Sequence, residues 1–63
     1  MMATEAIREA AMEAYRDAYE AANGYRPRRV RYEGGWYRLP MNQSVRHEQL
    51  LEYTERLVRR AAA

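Results

Sequence analysis

The chain has no cysteine, no lysine and only one histidine, His47, among its 63 residues. Without cysteine it cannot form a disulfide, carry out thiol chemistry or hold a metal through thiolates. A zinc site built on His47 would need carboxylates, which match zinc's usual ligands poorly. We therefore expect no metal site and no cofactor. The missing cysteines also fit a reducing compartment.

Long hydrophobic runs are missing as well. No stretch approaches the roughly 20 apolar residues of a transmembrane helix. The first five residues have neither a basic flank nor an apolar run, so they do not resemble a signal peptide. These absences predict a soluble, cytoplasmic protein that makes no contact with membranes.

The short length limits the hydrophobic core. The chain forms one domain, 1–63, and a core of this size rarely contributes more than about 3–5 kcal/mol. Large aliphatic side chains are few, but the six tyrosines and Trp36 can each bury about 150–250 Å². This composition predicts a folded domain with a tyrosine-rich core. Because disulfides and metals are excluded, a homodimer is the expected reinforcement.

Two segments have the spacing of amphipathic helices, about 4–22 and about 44–60. Thr4 is the expected N-cap of the first helix, and an Asn-Gly pair ends it. Ser44 is the expected N-cap of the second helix, with Asn42 as the alternative. The predicted inward positions of the first helix are Ile7, Ala11, Ala14, Tyr15, Ala18, Tyr19 and Ala22. Those of the second helix are Val45, Leu50, Leu51, Thr54, Leu57, Val58 and Ala61.

Between the helices, residues 28–39 have the pattern of a β-hairpin. Two alternating, aromatic-rich runs flank Gly34 and Gly35, which form the expected two-residue turn. Successive side chains of a strand alternate between its faces. The predicted inner face carries Val30, Tyr32, Tyr37 and Leu39. The predicted outer face carries Arg29, Arg31, Glu33, Trp36 and Arg38.

The order of elements predicts a small α+β domain, α-β-β-α, with both helices packed on one face of a two-stranded antiparallel hairpin. An isolated hairpin is marginal in water, so its apolar face must lie against the helices. The order is partly that of a double-stranded-RNA-binding domain, which has a third strand. The spacing leaves no room for a third strand between Leu39 and Ser44, so we expect two.

No motif in the chain predicts catalysis. The segment that starts at His47 begins like the zinc-protease helix motif, but Leu51 stands where the second histidine is required. Ser44 and His47 share the start of a helix without a nucleophile elbow or an evident orienting acid. A capping serine and a surface histidine are the simpler interpretation. We expect no catalytic residue and no enzymatic activity.

The outer face of the hairpin is the strongest candidate for a function. Residues 1–23 hold five acids against two arginines, whereas residues 24–47 hold six arginines against one acid. The candidate partner-binding residues are Arg29, Arg31, Trp36 and Arg38. Tryptophan and arginine dominate the hot spots of protein interfaces, so a protein partner is the first hypothesis.

Other interpretations of this face remain open. The arginines could bind phosphates while Trp36 stacks on a base, which would make the chain a nucleic-acid-binding protein. The acidic first helix argues against that alternative, because it would repel phosphate. Trp36 could instead be covered within the chain, by Arg31 and Arg38 or by a helix, or lie in a dimer contact. A structural or assembly protein is the third alternative.

Three stretches, 14–24, 35–39 and 49–57, resemble a pattern found in short uncharacterised proteins of phages and prophages. The resemblance covers most of the chain and carries no catalytic residues. It implies a phage accessory protein, a class that often binds and inhibits a host protein in the cytoplasm of the host cell.

Overall fold

The computed structural model describes residues 4–63 and shows a small α+β domain with the order α-β-β-β-α. Its elements are helix α1 (Glu5–Asn23), strands β1 (Arg31–Glu33), β2 (Trp36–Leu39) and β3 (Gln43–Val45), and helix α2 (His47–Ala62). The strands form one antiparallel sheet in the order β1-β2-β3. The predicted fold class is therefore confirmed, with one strand added.

Both ends of α1 follow the sequence pattern. The Thr4 hydroxyl accepts a hydrogen bond from the Ile7 amide at 3.2 Å, as an N-cap does. At the other end Gly24 has φ 86°, and its amide donates to the Glu20 carbonyl at 2.8 Å. This left-handed residue turns the chain back on the helix, so that the hydroxyl groups of Tyr19 and Tyr25 lie 3.0 Å apart.

The hairpin has the predicted register, with Glu33 opposite Trp36 across the Gly34-Gly35 turn. Arg31 lies opposite Arg38, and the strands are shorter than the predicted range 28–39. Both turn glycines have positive φ, which suits a two-residue hairpin turn because it matches the twist of the strands.

The expectation that no third strand fits between Leu39 and Ser44 is wrong. Leu39 pairs with Gln43, and only three residues separate them. The reversal is this short because Met41 and Asn42 both have positive φ, at 65° and 61°. Residues other than glycine rarely adopt this conformation, so neither the composition nor the spacing predicted the turn.

The start of α2 also differs from the prediction. Neither Ser44 nor Asn42 caps the helix, because Ser44 lies within β3 and Asn42 within the preceding turn. The N-cap is Arg46, whose amide donates to the side-chain oxygen of Gln49 at 3.2 Å. The helix begins at His47, and its N-cap lies two residues later than expected because Ser44 and Val45 extend the sheet.

The core lies between the sheet and the two helices. The C-terminal ends of the helices meet where Arg60 donates to the Asn23 side chain at 3.0 Å. The buried core cluster consists of Ala11, Met12, Tyr15, Val30, Tyr37, Leu39, Val45 and Leu50. Five positions predicted to face inward are exposed: Ile7 and Ala14 on α1, and Leu51, Val58 and Ala61 on α2. Met12 is buried although it was not predicted to be. The inward face of α1 is thus rotated towards Met12 because the helix packs against both the sheet and α2.

Candidate binding surface

The outer face of the sheet, defined here by Arg31, Glu33, Trp36, Arg38 and Ser44, points away from the core. On β2 the inward Tyr37 and Leu39 are buried while the alternating outward residues are exposed. Because the core lies on the inner side, the helices leave this outer face uncovered. The predicted separation of the hairpin into an apolar and a basic face is therefore present in the structure.

A single carboxylate links the arginines of the outer face. Glu33 lies 4.0 Å from Arg31 and 3.7 Å from Arg38. Arg38 also donates to the hydroxyl of Ser44 at 2.9 Å, across the strand pair that the sequence did not predict. Exposed ion pairs of this kind contribute little stability, up to about 1 kcal/mol each. Their effect is to orient two guanidinium groups side by side above the sheet.

A shallow groove of about 780 Å³ runs along one side of this face. Its arginines come from the loop before β1 and from the sheet: Arg28, Arg29, Arg31 and Arg38. Its polar floor comes from the β2–β3 turn and from β3: Asn42, Gln43 and Ser44. The structure thus brings together three of the four predicted site residues and adds Arg28. One acid, Glu33, lines the groove against four arginines.

Trp36, the fourth predicted residue, is placed differently. Its ring lies outside the lining of the groove and is covered by the guanidinium of Arg46, 3.8 Å from the ring centre. The same guanidinium donates to the carbonyl of Gly35 at 2.8 Å. Trp36 is left 37% exposed. The cover predicted from the sequence was Arg31 and Arg38 or a helix, and Arg46 was missed because its position depends on β3.

Beside this stack, Tyr37 and His47 form a hydrogen bond, with 2.8 Å between the tyrosine hydroxyl and Nδ1 of the imidazole. They line an open cavity of about 430 Å³ together with Arg8 and Arg46. Burial raises the pKa of Tyr37, and the neighbouring Tyr32 raises it further. His47 lies in the first turn of α2, as predicted, but it is half-buried rather than fully on the surface.

The side chains of Ser44 and His47 do not form a pair. Ser44 accepts from Arg38 on the outer face, while His47 bonds Tyr37 beneath the sheet. A nucleophile and its base have to lie within hydrogen-bond reach of each other. Across residues 4–63, no three histidine, aspartate or glutamate side chains gather closely enough to hold a metal ion.

One arginine from the following loop pairs with three of the acids of α1. Arg26 forms ion pairs with Glu13, with Asp17 at 2.7 Å and with Glu20 at 3.1 Å. The hydrogen bond to Asp17 is the main reason that the pKa of Arg26 is raised. Because Arg26 is engaged on α1, it does not add to the charge of the groove.

Comparison with known proteins returns no match to a family model, to a curated protein or to a solved structure. Neither helix in the described part of the chain, 4–63, combines the length and apolar character needed to cross a membrane.

Proposed function

We propose that this chain is a non-enzymatic binding module whose groove arginines contact an acidic surface of a protein partner. The observation that carries the proposal is the concentration of four arginines against one acid along a groove that the helices leave open. Arginine forks bind carboxylates in a bidentate manner, and oriented side chains lose less entropy on binding. Arg31 and Arg38 are already oriented by Glu33 and Ser44.

The stack of Arg46 on Trp36 favours a protein over a nucleic acid. A base could stack on this face of Trp36 only after displacing the guanidinium that lies 3.8 Å above it. A protein partner can use the stack as it stands, because tryptophan and arginine at the edge of a basic groove are typical interface anchors. The partner would cover Arg46 and the exposed edge of the indole together.

Nucleic acid is the second candidate, supported by the groove itself. Four arginines in a polar groove suit phosphates as well as carboxylates. The order α-β-β-β-α is also that of a double-stranded-RNA-binding domain. Against this candidate, the basic residues lie on the sheet while α1 carries the acidic side chains, so only one side of the molecule attracts phosphate.

We also propose a host-cell setting and a dimeric state for this chain. The resemblance of three stretches to phage and prophage proteins supports a phage accessory protein that inhibits a host protein in the cytoplasm. The small core supports a homodimer, since a chain of 63 residues without cysteine has few other means of reinforcement.

Binding to labelled probes tests the choice of partner. The probes are a peptide rich in glutamate and aspartate and a nucleic-acid duplex of equal charge. Binding of each is measured by fluorescence anisotropy at about 50 mM salt. We expect the peptide to bind more tightly. The double variant Arg31→Ala/Arg38→Ala should weaken its binding at least tenfold, because each lost charged contact contributes about 1 kcal/mol or more.

A control variant that removes the same charge separates the effect of the groove on binding from the effect of net charge. Arg56→Ala/Arg59→Ala removes two exposed arginines from α2, away from the groove. It should change binding less than twofold, and circular dichroism should show both variants folded. Equal losses in the two variants would mean that only net charge matters. Tighter binding of the duplex would replace the protein partner with the nucleic-acid candidate.

A further inference from the structure

A small cavity of about 260 Å³ opens between the two helices, towards their C-terminal ends. Its walls are apolar, with Tyr15 and Tyr19 contributed by α1 and Tyr53 and Leu57 by α2. These four residues define the tyrosine cavity. Pockets for drug-sized ligands measure about 300–1,000 Å³, so this volume suits a compound with a single ring. Tyrosine walls favour an aromatic ring, since ring contacts contribute beyond the area that they bury.

The hydroxyl group of Tyr15 is the polar group at the inner end of the tyrosine cavity. Tyr15 is only 4% exposed, and its hydroxyl makes no hydrogen bond with another residue of the described chain, 4–63. Within that part of the chain, no side-chain oxygen or nitrogen is both sealed from solvent and unbonded. The hydroxyl therefore keeps access to solvent, and it does so through the cavity that Tyr15 lines. Because a buried phenol normally has a hydrogen-bond partner, this one is available to a ligand.

The protonation state of Tyr15 makes its hydroxyl a hydrogen-bond donor. Burial raises the pKa of Tyr15, and the neighbouring phenols of Tyr19 and Tyr53 raise it further. The hydroxyl is therefore protonated at neutral pH and can donate to a ligand. Tyr19 does not compete for this role, because its hydroxyl already bonds that of Tyr25 at 3.0 Å.

Two arginines of α2, Arg56 and Arg60, line the cavity on its solvent side. The Arg56 guanidinium lies 5.7 Å from the centre of the Tyr53 ring, and Arg60 donates to the Asn23 side chain at 3.0 Å. Both guanidinium groups are thus held at the rim. No acid lines the cavity among the described residues. Arginine forks bind carboxylates, so the rim favours a ligand with a carboxylate at its outer end.

We propose that the tyrosine cavity binds a small aromatic carboxylate with a second polar group opposite the carboxylate. The ring packs between the tyrosines and Leu57, the carboxylate pairs with Arg56 and Arg60, and the far polar group accepts a hydrogen bond from Tyr15. Of the described residues that line the arginine groove, Gln43 alone also lines this cavity. The inference therefore does not depend on what the groove binds.

Titration of the native chain with 4-hydroxybenzoate tests the site, followed by NMR spectra of the backbone amides and tyrosine rings at neutral pH. We expect saturable shifts around the tyrosine cavity with a Kd between about 0.1 and 1 mM, as suits a ligand of this size. Benzoate lacks the hydroxyl and 4-hydroxybenzyl alcohol lacks the carboxylate. Each should bind at least about threefold more weakly, because each loses one polar contact.

Three variants assign these contacts to residues. Tyr15→Phe keeps the ring but removes the hydroxyl, so it should bind 4-hydroxybenzoate as weakly as benzoate and leave benzoate binding unchanged. Arg56→Gln should weaken both acids at least about threefold. Arg59→Gln is the matched control, since Arg59 is an exposed arginine of the same helix that pairs with Glu55 outside the cavity. It should change the Kd less than about 1.5-fold.

Several results would overturn the inference. They are shifts that do not saturate below about 10 mM, equal binding of the three compounds, and shifts centred on the arginine groove. Equal effects of Arg56→Gln and Arg59→Gln would also overturn it. The comparison of the three compounds uses the native chain alone, so it decides the matter even where a variant is unstable. Binding of the acidic peptide by Tyr15→Phe reports on the groove separately.

Discussion

Replacing Gly35 with alanine tests the contact between the hairpin turn and the start of α2. A Cβ atom on Gly35 would lie 2.7 Å from Nη1 of Arg46, closer than van der Waals contact allows. The guanidinium would have to move, and with it both its hydrogen bond to the Gly35 carbonyl and its stack on Trp36. The residue also has φ 87°, where alanine is strained.

The expected magnitude follows from these contacts. Backbone strain from alanine at a positive φ costs about 1–2 kcal/mol. The exposed hydrogen bond contributes about 0.5 kcal/mol, and a cation–π stack at an exposed site about 0.5–1 kcal/mol. Gly35→Ala should therefore lower the free energy of unfolding by about 2–3 kcal/mol. In a domain this small that shifts the midpoint temperature by roughly 10–20 °C.

Two controls separate the strain from the displaced arginine. Gly34→Ala also has positive φ, 58°, but its Cβ would meet nothing within 4 Å. It should lose only the backbone strain of about 1–2 kcal/mol, without the further loss at Arg46. In the Arg46→Ala background, Gly35→Ala should cost about 1 kcal/mol less than in the native chain, because the clash is gone.

The assay is urea unfolding followed by circular dichroism, together with the fluorescence of the single tryptophan, which reports on the Arg46 stack. Additive losses of unfolding free energy in Gly35→Ala and Arg46→Ala would refute the contact between residue 35 and Arg46 as the cause. So would an equal loss in Gly34→Ala and Gly35→Ala.

Two further predictions concern the core. Leu50→Ala should lower the free energy of unfolding by about 2–5 kcal/mol, because Leu50 is 0% exposed, and this is enough to unfold much of the protein at 25 °C. Leu51→Ala, at a neighbour that is 47% exposed, should lower it by less than about 1 kcal/mol. Equal urea midpoints for the two variants would contradict the packing. Burial raises the pKa values of Tyr15 and Tyr37, so ionisation favours the unfolded chain: stability should be constant below pH about 10 and fall as the pH rises through the raised values, with a smaller fall in Tyr15→Phe. Urea midpoints measured from pH 8 to 11.5 check this, and an unchanged midpoint across that range would refute it.

Local signals were sufficient for the first half of the fold. Thr4 and Gly24 mark the two ends of α1 because capping depends on residues within one turn of the helix end. Gly34 and Gly35 set the register of the hairpin because a two-residue turn leaves little choice of pairing. Each of these features needed only residues that are close in sequence.

The third strand escaped prediction because the local signature of its turn is incomplete: Asn42 tolerates positive φ, but Met41 rarely adopts it. Met41 and Asn42 have positive φ within the short reversal that pairs Leu39 with Gln43. Once Ser44 belongs to a strand, it cannot cap α2, and the helix begins later. The error at one turn thus produced the errors in the N-cap and the start of α2.

The sequence by itself determined that this chain is a small α+β domain with an acidic first helix and a basic hairpin face. Alternation along the strands was enough to predict the basic face, since it follows from the geometry of each strand. Only the tertiary structure decided what the basic face looks like. It joined Arg28 to Arg29, Arg31 and Arg38 in one groove and placed Arg46 on Trp36. The stack of Arg46 on Trp36 joins residues ten positions apart through β3, and no local pattern encodes that pairing.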